Sequence, residues 1–195
     1  MQFNFPLLLI FLPLSLLSLA GDFEKGLTAY QAGDYATALQ RWKPLAEEGD
    51  ASAQSKLGAM YDNGKGVPQE YNKAMKWYTR AAEQANADAQ FSLGMMYHKG
   101  KGVLQDYNIA TKWYKLAAEQ GYAQAQFYLG VMYHRGAGVL QDNLYAHMWF
   151  DIAASLGNEN AFETKAIIAK RMTPTDISKA RQLARECVAK DYKGC

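Results

Sequence analysis

Ala123-Gln-Ala-Gln-Phe-Tyr-Leu-Gly-Val-Met-Tyr133, then Gly136-Ala-Gly-Val139, then Ala146-His-Met-Trp149, is one unit of a pattern that returns every 36 residues. Leu57-Gly58, Leu93-Gly94 and Leu129-Gly130 keep that step, each followed by a tyrosine (Tyr61, Tyr97, Tyr133). So do Ala38, Ala74, Ala110 and Ala146, and Trp77, Trp113 and Trp149. A fixed period of this length marks stacked supersecondary units and not a single globular core. Each unit reads as two helices, here 123–133 and 144–156, joined by a glycine turn and ended by Gly157. Glycine pairs 64/66, 100/102 and 136/138 fit a turn with left-handed backbone angles. Gly49, Gly121 and Gly157, with Ala85 in one unit, take the left-handed place after a helix. Gly58, Gly94 and Gly130 fall inside helices, where glycine costs about 1 kcal/mol against alanine; close helix–helix approach is the expected compensation.

The pattern Ala-x-Ala-Gln-x-x-Leu-Gly-x-Met-Tyr-x-x-Gly-x-Gly-Val, then Ala-x-x-Trp-Tyr-x-x-Ala-Ala-Glu-x-Gly, resembles the Sel1-like repeat family, relatives of tetratricopeptide repeats, over residues 51–157. The resemblance implies an all-α, right-handed α-solenoid of helix-turn-helix repeats. Three Sel1-like units (51–157) follow one plain tetratricopeptide-like unit (21–50), and capping helices with a tail close the C-terminus (158–195). The first unit lacks the Gly-x-Gly insert: Gly26 to Ala38 is 12 residues, where Gly58 to Ala74 is 16. At the end, Thr173 reads as a helix cap, Pro174 as the first helical residue and Asp176 as its partner three residues on. Ile177, Ala180, Ala184, Cys187 and Val188 then form one apolar face, expected to seal the core.

Residues 1–20 carry no charge. An apolar run from Leu7 to Leu19 is shorter than the ~20 residues a membrane span needs, and Ser18-Leu19-Ala20 fits a cleavage site before Asp22, Glu24 and Lys25. The segment reads as a signal peptide removed near Ala20, with the mature protein periplasmic or secreted and touching membrane only through its leader. Cys187 and Cys195, the two cysteines, then read as a disulfide closing a short C-terminal loop. Net charge is +2 with signs mixed, so no patch predicts nucleic-acid binding.

Signs of catalysis are few. His98 and His134 share a repeat position, but its counterpart is Asp62, and no His-x-x-x-His or Cys-x-x-Cys supports a metal; the three histidines, His147 included, read as surface residues. Gly64-Lys65-Gly66 lacks the remainder of a phosphate loop. No nucleophile elbow exists. No cofactor or enzymatic activity is expected. Some cysteine-rich Sel1-like proteins are labelled as acting on β-lactams or peptidoglycan, but those carry a cysteine pair in each repeat, and these repeats have none. The aromatic column Trp42, Tyr78, Tyr114, Phe150 reads as packing between helices, with Trp77, Trp113 and Trp149 partly on the convex side.

By the resemblance, first helices line a concave face. Its candidate partner-binding residues are Phe23, Leu27 and Tyr30 in the first unit, Asp62 in the second, Phe91, Met95, His98 and Lys99 in the third, and Phe127, Val131, His134 and Arg135 in the fourth. A mixture of aromatic, apolar and basic side chains suits an extended peptide or a helix in a groove. Lys99 and Arg135 favour an acidic partner, and burial of Phe91 and Phe127 by the next repeat is the competing reading. The expected protein is a monomeric adaptor of the bacterial cell envelope that binds another protein or peptide; a secreted host-interacting factor is the alternative within the same class.

Overall fold

The computed structural model describes the backbone from Leu14 and the side chains from Gly21 to Cys195. The first part of the expected signal peptide, residues 1–13, lies outside the described residues. Among the described residues every regular element is a helix: α1 Leu14–Gln31, α2 Tyr35–Glu48, α3 Ala51–Asn63, α4 Tyr71–Glu83, α5 Ala87–Lys99, α6 Tyr107–Ala118, α7 Ala123–Arg135, α8 Asn143–Ser155, α9 Glu159–Ala169 and α10 Pro174–Ala189. Local chemistry starts and stops them. Asp34, Asp50, Asn86, Asp106, Asp142 and Asn158 each cap a helix by accepting a backbone N–H two or three residues on. Thr173 does the same for α10, with Pro174 in the first turn, and its hydroxyl donates to Asp176 at 2.7 Å. Such caps satisfy backbone donors that the helix itself leaves free.

Helices pair as hairpins, α1 with α2, α3 with α4, α5 with α6 and α7 with α8, and each second helix packs on the first helix of the next unit. Every Sel1-type hairpin is closed alike. Glu70, Asp106 and Asp142 donate their N–H to the carbonyls of Tyr61, Tyr97 and Tyr133 at 2.9–3.0 Å. Gln69, Gln105 and Gln141 return side-chain bonds of 2.7–2.8 Å to the carbonyls of Asp62, His98 and His134. Gly58, Gly94 and Gly130 let the hairpins close: a Cβ there would stand 2.7, 2.6 and 2.7 Å from the rings of Tyr78, Tyr114 and Phe150. Those rings and Trp42 are buried, so the aromatic column is the packing between helices that the sequence predicts.

Successive units are also tied by glutamines. Gln54, Gln90 and Gln126 are buried, and each donates to an alanine carbonyl of the preceding unit, Ala46, Ala82 and Ala118, at 3.0–3.2 Å. Gln84 donates to Oε1 of Gln54 at 2.9 Å and Gln120 to Oε1 of Gln90 at 2.7 Å. Oε1 of Gln126 is buried with no protein donor. The residue thirty places on, where the other two glutamines find their donor, is Leu156.

Several expectations need correction at the C-terminus. α9 takes the place of a first helix, with Ala161 and Ile168 buried in the register of Ala125 and Met132. α10, however, does not complete a hairpin on α9; it folds back along α8. It therefore seals the side of the stack and leaves Phe162 and Ile167 of α9 66% and 60% exposed. That helix also covers Trp149, 1% exposed, so the tryptophan lies in the core and not on the convex side, unlike the half-buried Trp77 and Trp113. His147, 1% exposed, is not a surface residue either; α8 is buried on both flanks, against α7 and α10. Val188 lies outside the apolar face of α10 and is exposed; Leu183 packs on the core in its stead. Cys187 and Cys195 form the expected disulfide, and the ring of Tyr192 inside that loop rests against Gly121.

Candidate partner-binding groove

The first helices α3 and α5 bound a cavity of about 370 Å³ whose lining includes Ser55, Ala59, Asp62, Phe91, Met95 and Lys99. One face of α3 contributes Ser55, Ala59 and Asp62, and the matching face of α5 contributes Phe91, Met95 and Lys99, because i, i+4 and i+7 or i+8 share a helix face. The walls are mixed. Ala59, Phe91 and Met95 supply apolar surface; Lys56 pairs with Asp88 at 3.8 Å and Lys101 with Asp62 at 3.3 Å. These two ion pairs link α3 to the next unit across the cavity and leave Lys99 exposed at its rim.

Phe91 is half-buried in a ring cluster, 5.7 Å from Tyr114, 5.3 Å from Tyr122 and 5.6 Å from Tyr128 between centroids. The next unit, through Tyr128, covers one side of the ring and the cavity opens on the other. Tyr114 Oη donates to Sδ of Met95 at 3.0 Å and stands 3.2 Å from Nδ1 of His98. His98 also meets Tyr107 and Tyr128 edge to face, at 5.4 and 6.0 Å. It is half-buried within rings and not a plain surface residue. Burial first, then the charges of Arg135 and Lys99, push its imidazole below the ordinary histidine range. Burial raises the phenols of Tyr78 and Tyr114 far above the usual range, and burial with the charge of Asp88 does so for Tyr122. These hydroxyls are neutral hydrogen-bonding groups at any physiological pH.

The other candidate residues lie elsewhere. Phe23, Leu27 and Tyr30 pack on the first unit's core: Phe23 and Tyr30 lie 6.0 and 5.4 Å from Trp42, and Lys65 sits over the Tyr30 ring at 4.9 Å. Phe127 and Val131 pack on the core around Phe150, Phe127 at 5.6 Å from that ring. His134 is held by Asn143 at 2.8 Å, and Arg135 is exposed. Sequence reasoning missed Tyr78, Asp88, Ser92, Lys101 and Tyr122 in the cavity wall. Tyr122 carried a usable signal. Asp50, Asn86 and Asn158 hold its place in other units and cap their helices; Tyr122 gives up that side-chain cap. Tyr122 instead sets its ring in the cavity wall, against Phe91. Among the described residues no group of histidine, cysteine, aspartate and glutamate has metal-site geometry.

Helical hairpins stacked by a repeated set of contacts, with a mixed cavity between first helices, define an α-solenoid scaffold. The Sel1 repeat family model matches residues 51–86, 87–122 and 123–158, and the chain belongs to that family. A Sel1 repeat protein from Oxalobacter formigenes is 40% identical, with a TM-score of 0.61 over 66% of this chain and 97% of that one. The protective antigen c5321 of uropathogenic Escherichia coli is 28% identical, with a TM-score of 0.56, over 89% of this chain and 47% of its own. Cysteine rich protein B of Helicobacter pylori, 22% identical with a TM-score of 0.54 over 66% of this chain and 92% of that one, shares the fold. No curated protein matches. Proteins of Sel1 repeats generally mediate protein–protein interaction and are generally non-enzymatic scaffolds.

Proposed function

We propose that this chain is a non-catalytic adaptor of the bacterial cell envelope that holds a segment of another protein against α3, α5 and α7. The observation that carries the reading is the cavity between α3 and α5, in which an apolar floor (Ala59, Phe91, Met95) is ringed by groups able to hydrogen-bond a peptide backbone (Ser55, Ser92, Asn63). Its frame is preset by the hairpin bonds and ring-on-glycine contacts, so docking loses little conformational entropy. Placement outside the cytoplasm rests on the uncharged leader and on the Cys187–Cys195 disulfide, which fits an oxidising compartment. No described helix is long and apolar enough to cross a membrane. The helix α1 runs through Ala20, so cleavage there leaves 21–31 as the first helix, as long as α9.

Site-specific photocrosslinking in cells tests this. A crosslinker at Lys99 is expected to trap one discrete partner, lost when Ala59→Arg fills the cavity. Crosslinkers at Lys76 and Lys112, exposed on α4 and α6, serve as controls. Equal trapping from the control positions, or none from the groove, defeats the reading.

A further inference from the structure

The last residues of the first helices form a row. At the 36-residue step the places read Gln31 (in the shorter first unit by alignment on Gly26), Asn63, Lys99, Arg135 and Arg171. Neutral amides hold the N-terminal half and cations the C-terminal half. Arg171 follows the end of α9 in a helical turn, its N–H bonded to the carbonyl of Ile168 at 2.9 Å, and Lys170 beside it holds the place of His98 and His134. Lys99, Arg135 and Arg171 are all exposed, and among the described residues none has a carboxylate partner. Lys56 and Lys101 inside the cavity, by contrast, are neutralised by Asp88 and Asp62. The acidic group sharing this face of α9 is Glu163, in the place of Phe127, two turns from Arg171.

We infer that this row receives acidic side chains, spaced about every third residue, from an extended segment of a protein partner whose apolar anchor sits in the cavity at Phe91. This rests on the groove reading above and specifies its ligand. Neighbouring first helices adjoin, α3 touching α5 and Phe91 and His98 of α5 meeting Tyr128 of α7, and helices in contact stand roughly 8–10 Å apart. An extended chain advances roughly 3.3 Å per residue, so three residues carry it from one cation to the next. The cavity opens beside Lys99, which fixes the order as anchor first, then acids toward α9. That Lys99 and Arg135 both depress the same imidazole, His98, agrees with their standing on one edge of the groove. A folded polyanion such as nucleic acid is disfavoured: one cation per unit over three units, with a net charge of +2, makes a thin electrostatic footprint.

Fluorescence anisotropy on the oxidised full chain tests the inference with three labelled ten-residue peptides. The first has one phenylalanine followed by glutamate at every third position, the second has glutamine for each glutamate, and the third has its glutamates contiguous. The spaced glutamate peptide is expected to bind about ten-fold tighter than the glutamine one, as three exposed charge pairs allow. It should also bind tighter than the contiguous one, and its advantage should vanish in Lys99→Glu/Arg135→Glu/Arg171→Glu and in 0.5 M salt, roughly, where screening is short-ranged. Single substitutions to glutamine, each with a partial loss, guard against misfolding of the triple variant. If glutamate and glutamine peptides bind alike and Ala59→Arg abolishes both, the groove stands and the acidic specificity falls. The inference also fails if no peptide binds while the photocrosslink from Lys99 persists, or if an oligophosphate binds the row and the peptides do not.

Discussion

Gln126 invites one substitution that should stabilise the protein, Leu156→Gln. Oε1 of Gln126 is buried without a donor, while its counterparts accept from Gln84 and Gln120, each thirty residues on. The backbone at position 156 is already suited: Leu156 has φ −93° and ψ 13°, and Gln84 has φ −89° and ψ 18°. A buried acceptor left unpaired costs about 1–3 kcal/mol, and a made hydrogen bond contributes about 1. Against this stands lost apolar contact. A fully buried leucine is worth about 1.5–3 kcal/mol, but Leu156 is 45% exposed and the glutamine stem keeps most of its methylenes, so roughly 0.5 kcal/mol is given up. The net is about +1 kcal/mol, or roughly 2–4 °C in Tm for a chain of this size. Thermal and urea unfolding followed by circular dichroism measure it. A double-mutant cycle with Gln126→Met separates the new bond from any gain in helix propensity. An unchanged or lower Tm, or an equal gain in the Gln126→Met background, refutes the account.

Gly94→Ala should destabilise by about 1–3 kcal/mol despite alanine's better helix propensity, because its Cβ would stand 2.6 Å from the Tyr114 ring; Ala166→Gly, exposed in α9, should lose only the propensity difference of about 1 kcal/mol. Urea midpoints of the two variants check this. Cys187→Ser/Cys195→Ser opens a loop of sequence separation 8 and should cost about 2–3 kcal/mol in the loop-entropy picture, with Trp149 fluorescence reporting loosening of α10. Stability should also fall with acid through histidine. His98 and His147 are both held below the ordinary value of 6.5, chiefly by burial. The unfolded chain therefore binds protons first, so their contribution is complete above about pH 6.5 and is lost as pH falls through the folded values. Tm measured between about pH 7.5 and 5 should decline, and His147→Leu should flatten the decline. A slope unchanged in that variant assigns it to other groups.

The repeats were legible because their physics is local and repeated. An aspartate before a helix, a glycine pair in a turn and a glycine inside a helix under a ring each announce themselves at a fixed step, and the hairpins follow. Cys187 and Cys195 were equally readable, since eight residues of sequence separation keep the two ends close. What escaped were consequences of long-range packing. Nothing near Pro174–Ala189 tells whether that helix turns toward α9 or back along α8, and on this choice hang the burial of His147 and Trp149 and the exposure of Val188. The groove was half legible. Asp62, Phe91, Met95 and Lys99 were found from their helix face, whereas Tyr122 and Lys101 reach the cavity from a helix cap and a loop, where face arithmetic does not apply.

The glutamine rungs have a consequence for length. Each couples its unit to the one behind through Nε2, bonded to an alanine carbonyl there, while Oε1 accepts from a glutamine at the end of its own unit's second helix. A copy of residues 87–122 spliced in after residue 122 repeats the glutamine-to-alanine bond at both of its new seams, though not the Lys56–Asp88 and Lys101–Asp62 pairs, since Ser92 and His98 hold the places of Lys56 and Asp62. The number of modules is therefore adjustable through this one bond, and a lineage that duplicates the segment lengthens its reach without redesigning either end.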